Sequence, residues 1–283
     1  MTDVPKLSVI IPANNEADHI ETCLGAVLRQ TGLGPGALEV IVAANGCTDN
    51  TADLARALAP RFGTMGWRFD VLDLPQGGKT GAVNAACAKA RTQAQAFLDA
   101  DIVIDPGLLA QVIDALSGSE PRYATGAMRV MRAKSWVSRY YGNVWVQLPF
   151  MQPGAAPGAG FFAVNAAGRA RWDLLPDITN DDTYVRWLFA PQERVEVQAG
   201  FDWPLVEGFW DLVRVRRRQD RGNRELRALY PALEKNEQKP TAGLGLQFRL
   251  AVTMPISYLV YVAVKLAVRW QPKDESAWAR GER

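Results

Sequence analysis

At 283 residues, with 48% hydrophobic and 22% charged side chains, the chain can form one large domain or a domain with an appendage. That composition excludes disordered, fibrous and collagen-like classes. Its 32 basic and 30 acidic residues leave a net charge of +2, so no global attraction draws it to nucleic acid, and none is expected as a partner.

From the start, Met1 to Lys6 lacks the charged and long apolar regions of a signal peptide, so a cytoplasmic location is expected. Leu7–Ile11 is a branched apolar run ended by Pro12, the pattern of a strand buried on both faces. Glu16 to Gln30 has helical periodicity, with Ile20, Leu24, Val27 and Leu28 on one face. A second strand over Glu39 to Ala44 leads into the turn Asn45-Gly46-Cys47-Thr48-Asp49 and a helix carrying Leu54 and Leu58. Arg68 to Leu74 is a third strand, followed by Gly77-Gly78-Lys79 and an alanine-rich helix to about Ala90. Ala94 to Leu98 is a fourth, ending at Asp99, and a helix starts near Pro106.

This alternation predicts an α/β domain with a mainly parallel mixed sheet flanked by helices. In such sheets ligands bind beyond the carboxyl ends of the strands, where Asn14, Asn45, Lys79 and Asp99 all lie. The second half changes character. Strands are expected at Tyr123 to Val130, Phe161 to Val164 and Arg194 to Gln198, with a helix from Asp181-Asp182 to Phe189. An arginine cluster spans Arg214 to Arg224, and Leu244 to Val268 is strongly apolar. A domain over 1–235 and a C-terminal apolar helical segment over 236–283 are the expected division.

The residue inventory narrows the chemistry. Cys23, Cys47 and Cys87 contain no CxxC pair, which removes zinc ribbons and thioredoxin motifs and suits a reducing compartment. One histidine, His19, excludes a multi-histidine metal site and leaves acid–base work to carboxylates. Asp99-Ala100-Asp101 follows a buried strand, and two carboxylates there suit a hard divalent cation; the plain alternative is an acidic helix cap. Gly78-Lys79-Thr80 is not a P-loop, because Asp73 stands where that motif needs a glycine. Lys79 faces a phosphate from a strand–helix junction, or it is a solvated lysine in a turn. Pro12 to Glu16 has no GxGxxG, so a dinucleotide site is unsupported. Asp181-Asp182 reads as a general base or as acids favoured by a helix dipole.

Taken in order, these segments resemble glycosyltransferase family 2 on the GT-A fold. Val9 to Glu16 resembles its opening strand and Pro-x-x-Asn-Glu turn, and Val42 to Thr51 its nucleotide turn, with Ala44-Asn45 in place of an acidic pair. Gly78 to Asn84 resembles Gly-Lys-x-x-Ala-x-Asn, Leu98 to Asp101 the DxD strand end, and Asp181-Asp182 the later Glu-Asp motif. The resemblance implies that Pro12, Asn14, Glu16, Asn45, Lys79, Asp99, Gly160 and Asp181 bind a nucleoside-diphosphate sugar. It implies Asp101 as ligand of a divalent cation, Mn2+ or Mg2+, and Asp182 as the catalytic base of an inverting transfer to an acceptor hydroxyl. Arg214 to Gly222 lacks the tryptophan of processive relatives.

A sugar-1-phosphate nucleotidyltransferase would carry a glycine- and arginine-rich loop after the first strand, which Pro12 to Glu16 lacks. A non-catalytic nucleotide-sugar-binding protein is the other alternative, against which Asp99, Asp101 and Asp182 argue. For residues 244–268 the readings are a helix in the membrane interface, a tilted span and a soluble core helix. The first, with the arginines before it, implies peripheral contact with the cytoplasmic membrane face and a glycan or lipid-linked acceptor.

Overall fold

The computed structural model describes residues 4–237 and 241–270. The chain divides into two compact units. The first comprises Met1–Arg129, Ala156–Asp177 and Asp181–Trp203; the second comprises Val130–Ala155, Ile178–Asn180 and Pro204–Arg283. Each unit is assembled from separate stretches, whereas composition suggested a single boundary at 235.

The first unit is built on an eight-stranded sheet ordered β3-β2-β1-β4-β7-β6-β8-β5. Its strands are β1 (Leu7–Ala13), β2 (Leu38–Asn45), β3 (Arg68–Leu74), β4 (Gln95–Leu98), β5 (Val103–Ile104), β6 (Tyr123–Val130), β7 (Phe161–Val164) and β8 (Arg194–Trp203). β1 is central because it is apolar on both faces: Leu7, Val9, Ile10 and Ile11 are wholly buried, each worth about 1.5–3 kcal/mol of transfer free energy. It pairs in parallel with β2 and β4, and β2 in parallel with β3. The expected mainly parallel sheet is parallel only in this half. β7 runs antiparallel to both β4 and β6, and β5 antiparallel to β8. Strand–helix alternation, which imposes parallel crossovers, stops after β4.

Helices α1 (Ile20–Leu28), α2 (Thr51–Ala57), α3 (Ala59–Thr64), α4 (Lys79–Lys89) and α5 (Leu108–Ala115) lie between these strands in the chain. α1 is shorter than its periodicity suggests, because Glu16 O accepts the amides of His19 and Ile20 in a separate turn. One helix expected after residue 50 is two, with Pro60 in the first turn of α3, where its missing N–H costs nothing.

In the second unit α6 (Trp136–Trp145) was not anticipated. α7 (Ala166–Arg169) and α8 (Asp181–Trp187) return to the first unit, while α9 (Phe209–Leu229) carries the arginine cluster. The apolar stretch expected as one helix is α10 (Leu244–Thr253) and α11 (Pro255–Trp270), broken at Met254 ahead of Pro255. Among the described residues no helix is long and apolar enough to cross a membrane, which removes the reading of a tilted span.

Candidate functional site

The carboxyl ends of β1 and β2 are tied by side chains of the turns that follow them. Asn14 Nδ2 donates to the carbonyls of Asn45 and Gly46, the latter at 3.1 Å. Asn15, with φ of 53°, accepts from the Thr48 amide at 2.8 Å. The Glu16 amide donates to Thr51 Oγ1 at 2.8 Å, and Asp49 Oδ2 accepts from the Ala17 amide at 3.2 Å. Burial opposes the charge of Asp49, but the Thr51 hydroxyl and the amides of Thr51 and Ala17 outweigh it and hold the carboxyl below its ordinary pKa. Pro12 pairs with Ala43 at the rim of this ladder.

Asn45, expected among the donor-binding residues, directs its side chain into the strand ends. It is 3% exposed, and its Nδ2 donates to the carbonyls of Ala13 at 2.8 Å and Ala43 at 3.2 Å. Its Oδ1 accepts from the Gly78 amide at 3.1 Å. The amide therefore seals two parallel strand ends and fixes the turn that delivers Lys79. Gly46 permits the same approach: a Cβ there would stand 2.7 Å from Gly77 N and 2.8 Å from Gly77 Cα.

Lys79 is the first residue of α4 and is not the solvated lysine of a loose turn. Its Nζ lies 2.9 Å from Asp99 Oδ1 and 3.5 Å from Asp181 Oδ2. Burial disfavours the ammonium, but Asp181, Asp99 and Asp182 together raise its pKa above the ordinary lysine value. Burial raises the Asp181 pKa; Lys79 pulls it back, and Asp182 and Asp99 push it further up. Three chain segments thus bring one cation and three carboxylates into a single electrostatic group. α4 also anchors the segment before α8, through Thr80 Oγ1 to Asp177 Oδ1 at 3.2 Å and a reciprocal pair between Asn84 and the Leu175 backbone.

Asp99 opens the turn after β4. Its amide donates to Gly160 O at 2.9 Å, joining it to the entry of β7, and its carbonyl accepts from Ile102 N at 3.1 Å. Gly160 sits between Ile102 and Trp203. Asp101 is 8% exposed. Asp181 and Asp182 occupy the first turn of α8, where the helix dipole favours acids. One Asp182 oxygen accepts from the Thr183 amide at 2.6 Å and hydroxyl at 3.3 Å. Asp177 and Thr183 support this group without being singled out by the sequence. The only cue was adjacency, Thr183 beside Asp182. The arginines of 214–224 belong to the second unit; Arg214 pairs with Asp211, and Arg217 donates to the Ala267 and Val268 carbonyls.

The donor chemistry around Asp99 and Asp101 suits a hard divalent cation carried with a substrate. Among the described residues no three His, Cys, Asp or Glu side chains converge as a metal cage. Magnesium needs no such cage, since one or two carboxylates plus substrate phosphates and water complete its shell.

Comparisons with known proteins fit this arrangement. The chain is 34% identical over 117 residues to the glycosyltransferase AglE of Haloferax volcanii, covering 41% of this chain and 37% of that protein. It is 31% identical over 227 residues to the glycosyltransferase AglD of the same organism, covering 74% and 35% respectively. The matches therefore span little more than a third of these relatives, at 37% and 35% of their lengths. Among solved structures, the mannosyltransferase PcManGT of Pyrobaculum calidifontis, in complex with GDP-Man and Mn2+, superposes with a TM-score of 0.57 at 19% identity, covering 95% of this chain and 76% of that one. S. aureus TarS in complex with UDP superposes with a TM-score of 0.53 at 15% identity, over 75% and 63%. These two likenesses show the GT-A fold. The sequence model of glycosyl transferase family 2 matches residues 8–159, more than half of the chain. The chain belongs to glycosyl transferase family 2.

Proposed function

We propose that the chain moves a sugar from a nucleoside-diphosphate sugar to an acceptor hydroxyl, with inversion at the anomeric carbon. The observation that carries this reading is the Lys79 ammonium held between Asp99, beyond a parallel strand, and Asp181, in the first turn of α8. A transferase of this kind needs a positive group for a departing diphosphate and a carboxylate for the attacking hydroxyl, close together.

In this reading Pro12, Asn14, Glu16 and the strand-end turns line the nucleotide, and Asn45 acts from behind by fixing the Gly78 turn. Asp181 keeps Lys79 charged and placed, and Gly160, whose side-chain space is taken by Ile102 and Trp203, holds the Asp99 amide through its carbonyl instead of opening room for the sugar. Asp182, oriented by Thr183, accepts the acceptor hydroxyl's proton as that oxygen attacks the anomeric carbon. The bond from that carbon to the diphosphate oxygen breaks, and its electron pair leaves on the diphosphate, toward which Lys79 carries its charge. Asp101, with Asp99, would hold a Mn2+ or Mg2+ ion, which when bound supplies further stabilisation of the diphosphate's negative charge. The acceptor is a glycan or a lipid-linked molecule, and the protein works at the cytoplasmic face of a membrane.

A thermal-shift panel of nucleoside-diphosphate sugars with and without Mn2+ tests the assignment, because a ligand of the folded state raises its apparent stability. One donor with a metal-dependent upward shift is expected. Release of pyrophosphate from a nucleoside triphosphate and a sugar phosphate would replace the proposal with a nucleotidyltransferase.

A further inference from the structure

In the second unit, α11 buries one face and exposes an apolar one. Ser257 and Val264 are buried, the Tyr261 ring packs tilted against the Tyr141 ring of α6 at 5.6 Å between centroids, and Arg217 of α9 donates to the carbonyls of Ala267 and Val268. Those positions recur at helical spacing and settle which side of α11 is covered. On the opposite side Ile256, Leu259, Leu266 and Trp270 are exposed, Trp270 by 91%. α10 repeats the arrangement: Leu250 is buried, while Leu244, Phe248 and Val252, at i, i+4 and i+8, are exposed, by 85% and 73% for the first two. Isolated exposed leucines are ordinary; two consecutive helices each with an outward apolar stripe are not.

The charges beside these stripes identify what covers them. Leu244 to Trp270 contains Arg249, Lys265 and Arg269 and not one aspartate or glutamate. A second copy of the chain would set cations against cations across such a surface. An anionic bilayer sets phosphates against them while taking up the leucines, phenylalanine and tryptophan. The dimensions agree, since α11, at 16 residues, is about 24 Å long and falls short of the ~30 Å hydrocarbon core. We propose that α10 and α11 form a two-helix interfacial anchor that inserts Leu244, Phe248, Val252, Leu259, Leu266 and Trp270 into the headgroup–acyl boundary of an anionic phospholipid membrane. The long stems of Arg249, Lys265 and Arg269 carry their charges up to the phosphates. This deepens the membrane-face location given above, and it stands whether or not the first unit transfers sugar.

Flotation of the full-length protein with vesicles tests it. The wild type floats with phosphatidylglycerol-containing vesicles and loses most of that binding on pure phosphatidylcholine or in high salt. The variant Phe248→Glu/Leu259→Glu/Leu266→Glu, changed only at exposed positions, partitions at least about a hundredfold less. It keeps the wild-type melting temperature and the thermal shift given by a nucleoside-diphosphate sugar. Arg249→Gln/Lys265→Gln/Arg269→Gln loses the preference for phosphatidylglycerol. The proposal is overturned if folded wild type stays in the bottom fraction with both vesicle types. It is equally overturned if the glutamate variant floats as well as wild type, or if the stripes instead hold together a dimer that the variant dissociates. Absence of any donor-induced shift in a protein that floats would count against the transferase reading and leave the anchor standing.

Discussion

Lys79 Nζ sits 2.9 Å from Asp99 Oδ1 and 3.5 Å from Asp181 Oδ2, so one ammonium holds together a carboxylate within the family-2 match and one beyond its end. Lys79→Met leaves Asp99, Asp181 and Asp182 facing one another. Breaking a buried pair costs roughly 3–5 kcal/mol, but Lys79 is 40% exposed, which reduces the expected loss to about 1–2 kcal/mol at pH 8. The Asp181 pKa is already raised above its ordinary 3.8, and loss of Lys79 raises it further. A raised carboxylate stabilises the fold below its unfolded pKa and loses that contribution as pH rises through its folded value. Denaturant melts should therefore find the variant closer to wild type at pH 5 than at pH 8.

Asn45→Asp tests whether this side chain is structural. It keeps the acceptor for the Gly78 amide but replaces the donor to Ala13 O and Ala43 O with a carboxylate facing two carbonyls. A destabilisation of about 1–3 kcal/mol is expected from chemical denaturation, although an acid is what the family pattern has here. Improved donor binding with unchanged stability would show that the side chain faces the ligand instead.

Tyr123 and Gly158 form a separable pair. Tyr123 is wholly buried, no described residue bonds its hydroxyl, and a Cβ at Gly158 would stand 1.7 Å from that oxygen. Gly158→Ala should cost about 2 kcal/mol or more, since it adds a clash at a φ of +67°. Tyr123→Phe removes an unsatisfied buried hydroxyl and should stabilise by up to about 1 kcal/mol. In the double variant the worst clash is removed, leaving the ring carbon Cζ at 2.9 Å and the backbone cost, a partial coupling that a double-mutant cycle of melts measures.

Acid stability reports on Asp105. Hydrogen bonds from Arg129 hold its pKa below the ordinary value against burial, with Gly200 N and the Arg129 charge adding to them. A depressed carboxylate contributes stability above its unfolded pKa and loses it as pH falls through its folded value. Asp105→Asn should therefore cost about 0.5–1 kcal/mol at pH 7, the pair being half exposed, and less at pH 3, below the ordinary carboxylate value. Parallel denaturant titrations at the two pH values would settle it.

The parts legible in the sequence are those where one physical requirement dominates. β1 and β2 show as apolar runs because nearly every position is buried, β3 shows as an alternating run at the sheet edge, and the Asp99 turn shows because it ends a buried run. β5 is two residues long and leaves no pattern. α6, Trp136–Trp145, is rich in aromatics and β-branched residues, and its helical state comes from packing of Ser138, Tyr141 and Val144. In α9 few positions are buried, so its arginines hide its period. Asn45 could be placed at the strand end, but nothing local tells which way an amide turns; that is decided by Gly78, far along the chain. The pairing of Lys79 with Asp181 is likewise tertiary, and only the order of motifs pointed to it.

Transfer by Asp182→Asn is the most direct measurement of the central claim. Thr183 can still donate to the amide oxygen, so the fold and the donor-induced thermal shift should persist. With the proton acceptor gone, single-turnover transfer from the identified nucleoside-diphosphate sugar should fall about 10²–10⁴-fold. A folded, donor-binding Asp182→Asn protein that transfers sugar at the wild-type rate would contradict the account.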